Sequence, residues 1–203
     1  RMHNFIEGAI FSLVLAGFVL SMMLKEKTFL ILALGTLFSL LFIVANNGDI
    51  FYINSIGQWY KYFPLQRIFG AACFALLSYF TYVFLEMQRY TPRIAMMQRL
   101  VISIFIVIFF VSFVPVLRDS SWIPTIGNAT IILGTFTGLS CSIILIRQGN
   151  RLGKLFLLSW LPLFAVSFWR IIELSLHLPQ NEIVSILLPA SYVIVGILLY
   201  SGL

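Results

Sequence analysis

The sequence predicts an all-α membrane protein, a bundle of seven transmembrane helices. Of its residues, 61% are hydrophobic and 10% are charged, whereas soluble domains carry about 25% charged residues. A spanning helix needs roughly 20 apolar residues, because the hydrocarbon core of a bilayer is about 30 Å thick. The apolar segments that approach this length fill almost the whole chain, at residues 5–24, 28–44, 68–87, 100–116, 126–146, 155–176 and 183–203.

Each segment is consistent with a spanning helix. The first is longer than the roughly 7–15 apolar residues of a signal peptide and lacks a small-residue cleavage site, so we expect it to be retained. The second is short and can span with modest local thinning of the bilayer, or with help from Ala45 and its neighbours. The fourth is apolar on every face, which is typical of a buried or lipid-facing helix and not of an alternating barrel strand.

The last three segments carry small or helix-breaking residues. Gly134 and Gly138 in the fifth are four residues apart, a spacing that lets two helix backbones approach closely. We therefore expect this helix to pack against another helix, within the bundle or across a dimer. Pro162 and Pro189 lie inside the sixth and seventh segments and are expected to kink them.

Seven spans place the two ends of the chain on opposite sides of the membrane. Cytoplasmic loops of membrane proteins are enriched in Lys and Arg. Because one set of loops carries twice as many cations as the other, we expect the N-terminus outside and the C-terminus in the cytoplasm. The cations on the predicted cytoplasmic side are Lys25, Lys27, Arg89, Arg93, Arg99, Arg147, Arg151 and Lys154, and those on the outer side are Arg1, Lys61, Arg67 and Arg118.

Ionisable residues within spans are rare and are candidates for function. Arg170 follows Lys154, at the inner edge of the sixth span, by roughly 24 Å of helix, which places it in the outer third of the bilayer. Several polar residues of other spans reach a similar depth. We expect them to line an outer polar cup that binds a small extracytoplasmic ligand. The predicted cup consists of Glu7, Asn46, Asn47, Arg67, Arg170, Glu173 and His177.

Two interpretations of Arg170 and Glu173 are open. Residues three apart on a helix are neighbours, so the two can form an ion pair that holds helices together. Alternatively, Arg170 anchors a polar or anionic ligand in the cup. A transport or proton path would also need polar groups in the inner half of the bundle, and the middle of the second, third and fourth spans offers only isolated Ser, Cys and Thr.

The sequence has no recognisable catalytic or cofactor motif. It has two histidines and no H-E-x-x-H pattern, and both aspartates, Asp49 and Asp119, fall in predicted outer loops. The last span has no lysine for a retinal Schiff base. We therefore expect no enzyme activity, cofactor or metal in this chain, and no nucleic-acid binding despite the charge of +6. Cys73 and Cys141 fall in spans and are expected to be packing residues.

Residues 84–93 (FLEMQRYTPR) resemble the end of the third helix in bacterial seven-transmembrane receptors with diverse intracellular signalling modules. In that family a Phe-Leu pair precedes a basic, tyrosine-containing turn and a proline. A Tyr-Asn pair near the end of the first helix and a glutamate in the seventh, both frequent in the family, are missing here. Other segments fit the family pattern in order: Gly8, residues 25–30, Gly48, Trp59, residues 149–160, residues 178–181 and residues 201–203.

The resemblance implies a periplasmic domain before the bundle and an output domain, such as a histidine kinase or diguanylate cyclase, after it. Because the chain begins at Arg1 and ends on an apolar helix, we expect residues 1–203 to be one transmembrane domain of a longer receptor. It would lie in the bacterial inner membrane, with the lipid bilayer and a second copy of itself as partners. Its implied function is to pass an external ligand signal to the output domain.

The signal is expected to leave through the seventh span, which ends at Leu203. Pro189 removes one backbone hydrogen bond in the outer half of that helix, and Gly196 adds a site of low bulk about two turns further in. The alternatives are a small membrane transporter or its accessory subunit, and a scaffold without a ligand. A transporter would be expected to show internal repeats and broken helices at mid-membrane, and no convincing repeat is present.

Overall fold

The computed structural model describes residues 2–47, 63–117 and 120–175, together with residues 187, 190–191, 193–195 and 197–199. Within these residues, side chains are described except at positions 2–5, 47, 167, 170–171 and 174–175. All regular structure in this part of the chain is helical. The helices are α1 (Met2–Leu24), α2 (Lys27–Asn47), α3 (Leu65–Phe84), α4 (Met87–Tyr90), α5 (Pro92–Val111), α6 (Trp122–Arg147) and α7 (Arg151–Ser175), with a 3₁₀ turn at Pro115–Leu117.

Five of these helices are long and apolar enough to cross a membrane. The sixth long helix, α7, is not among them and carries four ionisable residues besides its apolar ones: Arg151, Lys154, Arg170 and Glu173. Multi-pass membrane insertion is therefore supported over most of the described chain. The candidate spans are Ile6–Leu24, Lys27–Asn46, Leu65–Phe84, Pro92–Val111 and Trp122–Arg147.

Several predicted boundaries differ from the observed helices. The fourth span was predicted to end at residue 116, whereas α5 ends at Val111, and the fifth to begin at residue 126, whereas α6 begins at Trp122. The second span is longer than its apolar segment, because α2 continues through Ala45 to Asn47 and reaches 21 residues, in agreement with the expected help from Ala45 and its neighbours. The third span ends at Phe84 rather than at residue 87. The fourth begins at Pro92, eight residues earlier than predicted, because proline at the first position starts a helix well and the Arg and Gln residues that follow are compatible with helix.

The long helices form an up-and-down bundle in which consecutive helices pack together, and α3 also contacts α6. Side-chain hydrogen bonds identify which helix ends meet. Gln66 Nε2 at the start of α3 donates to the carbonyl oxygen of Ala45 near the end of α2, at 3.1 Å. Arg67 Nη1 donates to the carbonyl oxygen of Leu117, after α5, at 3.1 Å. We call this end, where α1, α3 and α6 begin, the outer end.

The opposite end, called the inner end, is formed by short connections. After α6, Gly149 adopts a φ of 76°, and Asn150 N donates to the Leu145 carbonyl at 2.9 Å. This is the hydrogen bond that closes a helix terminated by a left-handed glycine. The Asn150 side chain then accepts from Leu152 N at 2.9 Å and caps α7. The chain therefore reverses direction between α6 and α7 within three residues.

An aromatic cluster joins α3 to α7 in the interior. Phe156 stacks on Trp160 with ring centroids 5.2 Å apart, and Trp160 stacks on Phe80 at 6.3 Å. Phe80 in turn stacks on Phe84 at 5.2 Å. All four residues are buried, so this cluster connects the middle of α7 to the inner end of α3 through packed rings.

The packing predicted for the two glycines of α6 is confirmed, and it lies within the bundle. A Cβ built on Gly134 would stand 3.2 Å from Val101 Cγ1 of α5. A Cβ on Gly138 would stand 3.5 Å from Thr81 Cγ2 of α3 and 3.6 Å from Phe156 Cε1 of α7. The small residues let α6 approach three neighbouring helices at once.

Candidate functional site

Four of the seven predicted cup residues lie at the outer end of the bundle. Glu7 follows the start of α1 and has one buried carboxylate oxygen. Arg67 lies half-buried in the first turn of α3, and Asn46 is exposed at the end of α2. Glu173 lies in the last turn of α7 and is only 3% exposed. The structure thus brings these four residues to one end of the bundle; binding of a ligand there stays a prediction.

Glu173 is oriented by its own helix. Its Oε1 atom accepts a hydrogen bond from Trp169 Nε1, one turn earlier, at 3.0 Å. Trp169 is about half exposed on the outside of the bundle, whereas the carboxylate faces inward. A buried carboxylate that accepts an indole N–H is partly compensated for the loss of water. The inward orientation expected for Glu173 is therefore observed.

The remaining predicted residues cannot be placed to the same degree. Asn47 belongs to α2 and Arg170 to α7, but the structure does not describe their side chains. His177, Pro189 and Gly196 fall outside the described residues altogether. An ion pair between Arg170 and Glu173, and a role for the seventh span in signal transfer, therefore remain predictions.

The segment 84–93, singled out from the sequence, forms a compact turn at the inner end. Helix α3 stops at Phe84, and Glu86 adopts left-handed backbone angles with a φ of 45°. The one-turn helix α4 follows, and Thr91 precedes Pro92 at the start of α5. Four side chains of this turn are buried, namely Phe84, Leu85, Met87 and Thr91. The apolar members of the segment therefore pack inward while its charged members stay outside.

Thr91 also joins the turn to α6, because its Oγ1 lies 3.2 Å from Cys141 Sγ. Cys73 makes the equivalent contact to Ser39 Oγ at 3.0 Å. Both cysteines are free and buried. The prediction that they pack inside the bundle is confirmed, with the addition that each thiol contacts a hydroxyl of a neighbouring element. Among the described residues, no group of three His, Cys, Asp or Glu is arranged to hold a metal ion.

The exposed side of the turn is held by cations and rings. Arg89 Nη1 contacts Glu86 Oε2 at 3.2 Å, and its guanidinium lies over the Tyr90 ring. Arg99 Nε donates to Tyr82 Oη at 3.2 Å, and Arg99 Nη2 donates to the Gln88 side-chain carbonyl. All eight cations that were predicted to be cytoplasmic lie exposed at this inner end: Lys25, Lys27, Arg89, Arg93, Arg99, Arg147, Arg151 and Lys154.

A buried polar junction inside the bundle was missed by sequence reasoning. Gln98 of α5 is only 1% exposed. Its Nε2 donates to the carbonyl oxygen of Ser78 in α3 at 3.0 Å, and its Oε1 accepts from the hydroxyl of Thr137 in α6. One amide therefore links three helices. Gln98 lies before residue 100, where the fourth span was predicted to begin, so the expectation of only isolated Ser, Cys and Thr in the middle of the spans did not cover it.

Gln98 was not identified from the sequence because of the residue that follows it. Gln98 stands beside Arg99, so hydropathy alone assigns both to a loop. Because α5 begins at Pro92, Gln98 lies about two turns inside the helix and points inward, whereas Arg99 points outward. The signal that could have identified it was the proline, which favours the first position of a helix.

The fold and these contacts define a multi-pass helical membrane protein with a basic inner end and a polar outer end. A family model described as 7TM diverse intracellular signalling matches residues 2–203. The chain therefore belongs to that family, as the resemblance in residues 84–93 indicated, and it has a sensor or signalling role. Searches of curated proteins and of solved structures return no match.

Proposed function

We propose that this chain is the transmembrane sensor domain of a bacterial receptor. In this proposal seven helices span the inner membrane, with the N-terminus outside and the C-terminus in the cytoplasm. A small extracytoplasmic ligand binds in the outer cup, and the change is passed to a kinase or cyclase-type output domain beyond Leu203. The family match over residues 2–203 is the observation that carries this proposal.

The distribution of charge supports the orientation. The eight exposed cations of the inner end are accompanied there by two acidic residues, Glu26 and Glu86. An end of this composition is favoured on the cytoplasmic side.

The residues at the outer end include the buried carboxylate of Glu173 and the half-buried Arg67. A charged group held inside the membrane region is a candidate for function.

We further propose that the receptor acts as a homodimer and that any catalysis resides outside residues 1–203. Apolar side chains cover the faces of α5 that point away from the bundle, such as Met96, Val107 and Phe110. These faces are compatible with lipid or with a second copy of the bundle. No cofactor is part of the proposed mechanism, because signal transfer requires only two helix arrangements with different affinity for the ligand.

The test uses the full-length receptor with its output domain in the membrane. Arg67→Gln removes one of the two arginines of the proposed cup and should change basal or stimulated output while expression and insertion are retained. Arg93→Gln at the exposed inner end is the matched control, since it also removes one arginine charge but leaves the outer end intact. Equal output from the wild-type protein and Arg67→Gln over a range of periplasmic extracts would contradict a role for the cup.

A further inference from the structure

A small, partly open cavity lies between α3, α5, α6 and α7. Its volume is about 50 Å³. Its polar lining comes from three helices and includes Thr81, Gln98, Thr130 and Thr135, and its apolar lining includes Phe105 and Trp160. Among the described residues, none that lines the cavity is charged. The cavity adjoins the Gln98 junction but belongs neither to the outer cup nor to the inner turn.

The hydroxyl groups of the three threonines that line the cavity make the same kind of hydrogen bond. Thr81 Oγ1 donates to the Leu77 carbonyl at 2.8 Å, Thr130 Oγ1 to the Ile126 carbonyl at 2.7 Å, and Thr135 Oγ1 to the Ile131 carbonyl at 2.9 Å. Each hydroxyl has thereby used its only proton on its own helix. A hydroxyl oxygen retains lone pairs when it donates, so these three side chains can still accept hydrogen bonds.

Donors are also present beside these acceptors. A glutamine amide carries two N–H groups, and Gln98 Nε2 uses one on the Ser78 carbonyl. Trp160 is 4% exposed, and its buried Nε1 has no hydrogen-bond partner among the described residues. Buried N–H groups are nearly always paired, and an ordered water is a common partner where protein groups do not reach. The site therefore suits a neutral occupant that both donates and accepts.

Size decides which neutral occupant fits. A buried water needs roughly 10–15 Å³ of such volume and makes about three hydrogen bonds to polar groups. A cavity of about 50 Å³ therefore accommodates about three waters. Pockets for small-molecule ligands measure about 300–1,000 Å³, which is far larger. An apolar occupant would leave the hydroxyl lone pairs unpaired.

We propose that this cavity is a hydration site that holds a cluster of about three ordered waters bridging α3, α5 and α6. The waters accept from the free amide N–H of Gln98 and donate to the lone pairs of Thr81, Thr130 and Thr135. They extend the Gln98 junction into a hydrated polar joint. The site is independent of the proposed ligand cup and does not require it.

Radiolytic hydroxyl-radical labelling with mass spectrometry tests the proposal on the purified protein in lipid nanodiscs. Radicals form from water, so a buried side chain beside an ordered water is labelled although bulk water does not reach it. Phe105 lines the cavity and is 3% exposed, whereas Phe80 is 0% exposed and does not line it. We expect a several-fold higher labelling rate at Phe105 than at Phe80. Equal, low rates at the two rings would overturn the proposal.

Two matched variants extend the test. Thr130→Val removes a cavity acceptor without touching the Gln98 contacts, and it should lower Phe105 labelling towards the Phe80 rate. Thr36→Val is the control, because Thr36 is as buried as Thr130 and lies away from the cavity. Its hydroxyl donates to the Leu32 carbonyl of α2. This variant should leave Phe105 labelling unchanged. Equal effects of the two substitutions, or density for a lipid chain in the cavity in a high-resolution structure, would also overturn the hydration site.

Discussion

Gly153 of α7 lies directly against the backbone of Ser142 in α6. A Cβ atom built on Gly153 would stand 2.7 Å from the Ser142 carbonyl oxygen and 2.8 Å from Leu145 Cβ. Real Cβ atoms essentially never approach that closely, and the obstacle is backbone rather than the end of a flexible side chain. The two helices can therefore meet at the inner end only where α7 has a glycine.

We predict that Gly153→Ala destabilises the bundle by about 1–3 kcal/mol, the usual effect of overpacking a close contact. The measurement is the unfolding midpoint of the purified protein in detergent. Gly8→Ala on α1 is the control, because nothing lies within 4 Å of a Cβ at that position. In that variant the better helix propensity of alanine should raise stability by roughly 0.5–1 kcal/mol. Similar midpoints for the two variants would contradict the close approach of α6 and α7.

The left-handed backbone of Glu86 leads to a second prediction. For a side chain other than glycine this conformation costs roughly 1–2 kcal/mol, whereas the exposed ion pair of Glu86 with Arg89 contributes about 0–1 kcal/mol. Glu86→Gly should therefore leave stability unchanged or raise it slightly. Glu86→Val should lower it, because a β-branched residue is poorly accommodated at positive φ. The measurement is the unfolding midpoint of each variant in detergent. A lower midpoint for Glu86→Gly than for Glu86→Val would exclude the left-handed conformation at residue 86.

Much of this architecture could be predicted from hydropathy. The parts that could not be predicted were missed for physical reasons. Long apolar segments locate helices, because each must cross roughly 30 Å of hydrocarbon. Hydropathy does not locate the start of α5, because the first two turns of this helix are amphipathic. Gln98 lies on the buried face there and Arg99 on the exposed face. The polar junction and the cavity depend on which faces of α3, α5 and α6 meet, and a single sequence does not contain that information.

For the outer cup, the sequence could predict only that its residues lie at a similar depth in the bilayer. Counting residues along α7 brings Glu173 to the outer end, and its inward orientation agrees with the rule that ionisable groups avoid lipid. The contact of Glu173 with Trp169 follows from their spacing of one turn. Whether Glu7 and Arg67 act with Glu173 depends on interhelical distances that no periodicity encodes.

Cysteine accessibility gives a third prediction, on membrane orientation. Ser121 and Gln148 are exposed, just before and just after α6 at opposite ends of the bundle. In intact spheroplasts, a membrane-impermeant maleimide should label Ser121→Cys at once and Gln148→Cys only after permeabilisation. The native Cys73 and Cys141 are buried and should add little background. The reverse order of labelling would mean that the basic end faces outward.

The fourth prediction separates the two roles of Arg170 and Glu173. If the residues form a buried ion pair, Arg170→Gln or Glu173→Gln alone leaves one charge uncompensated and should cost about 3–5 kcal/mol. The double variant removes both charges, so most of that loss should be recovered. Glu173→Gln is a suitable change because the glutamine Oε1 can still accept from Trp169 Nε1. The measurement is a double-mutant cycle of unfolding midpoints in detergent.

We expect this non-additive result, because Glu173 is 3% exposed and a carboxylate so buried needs compensation beyond one indole N–H. Arg170 would then hold α7 in place, and recognition of a ligand in the cup would rely on Glu7 and Arg67 at the same end. Additive losses in the cycle would instead mean that the two side chains do not pair. Arg170 would then be available as the anchor for an anionic ligand, and its substitution should change output in the full-length receptor without a matching loss of stability.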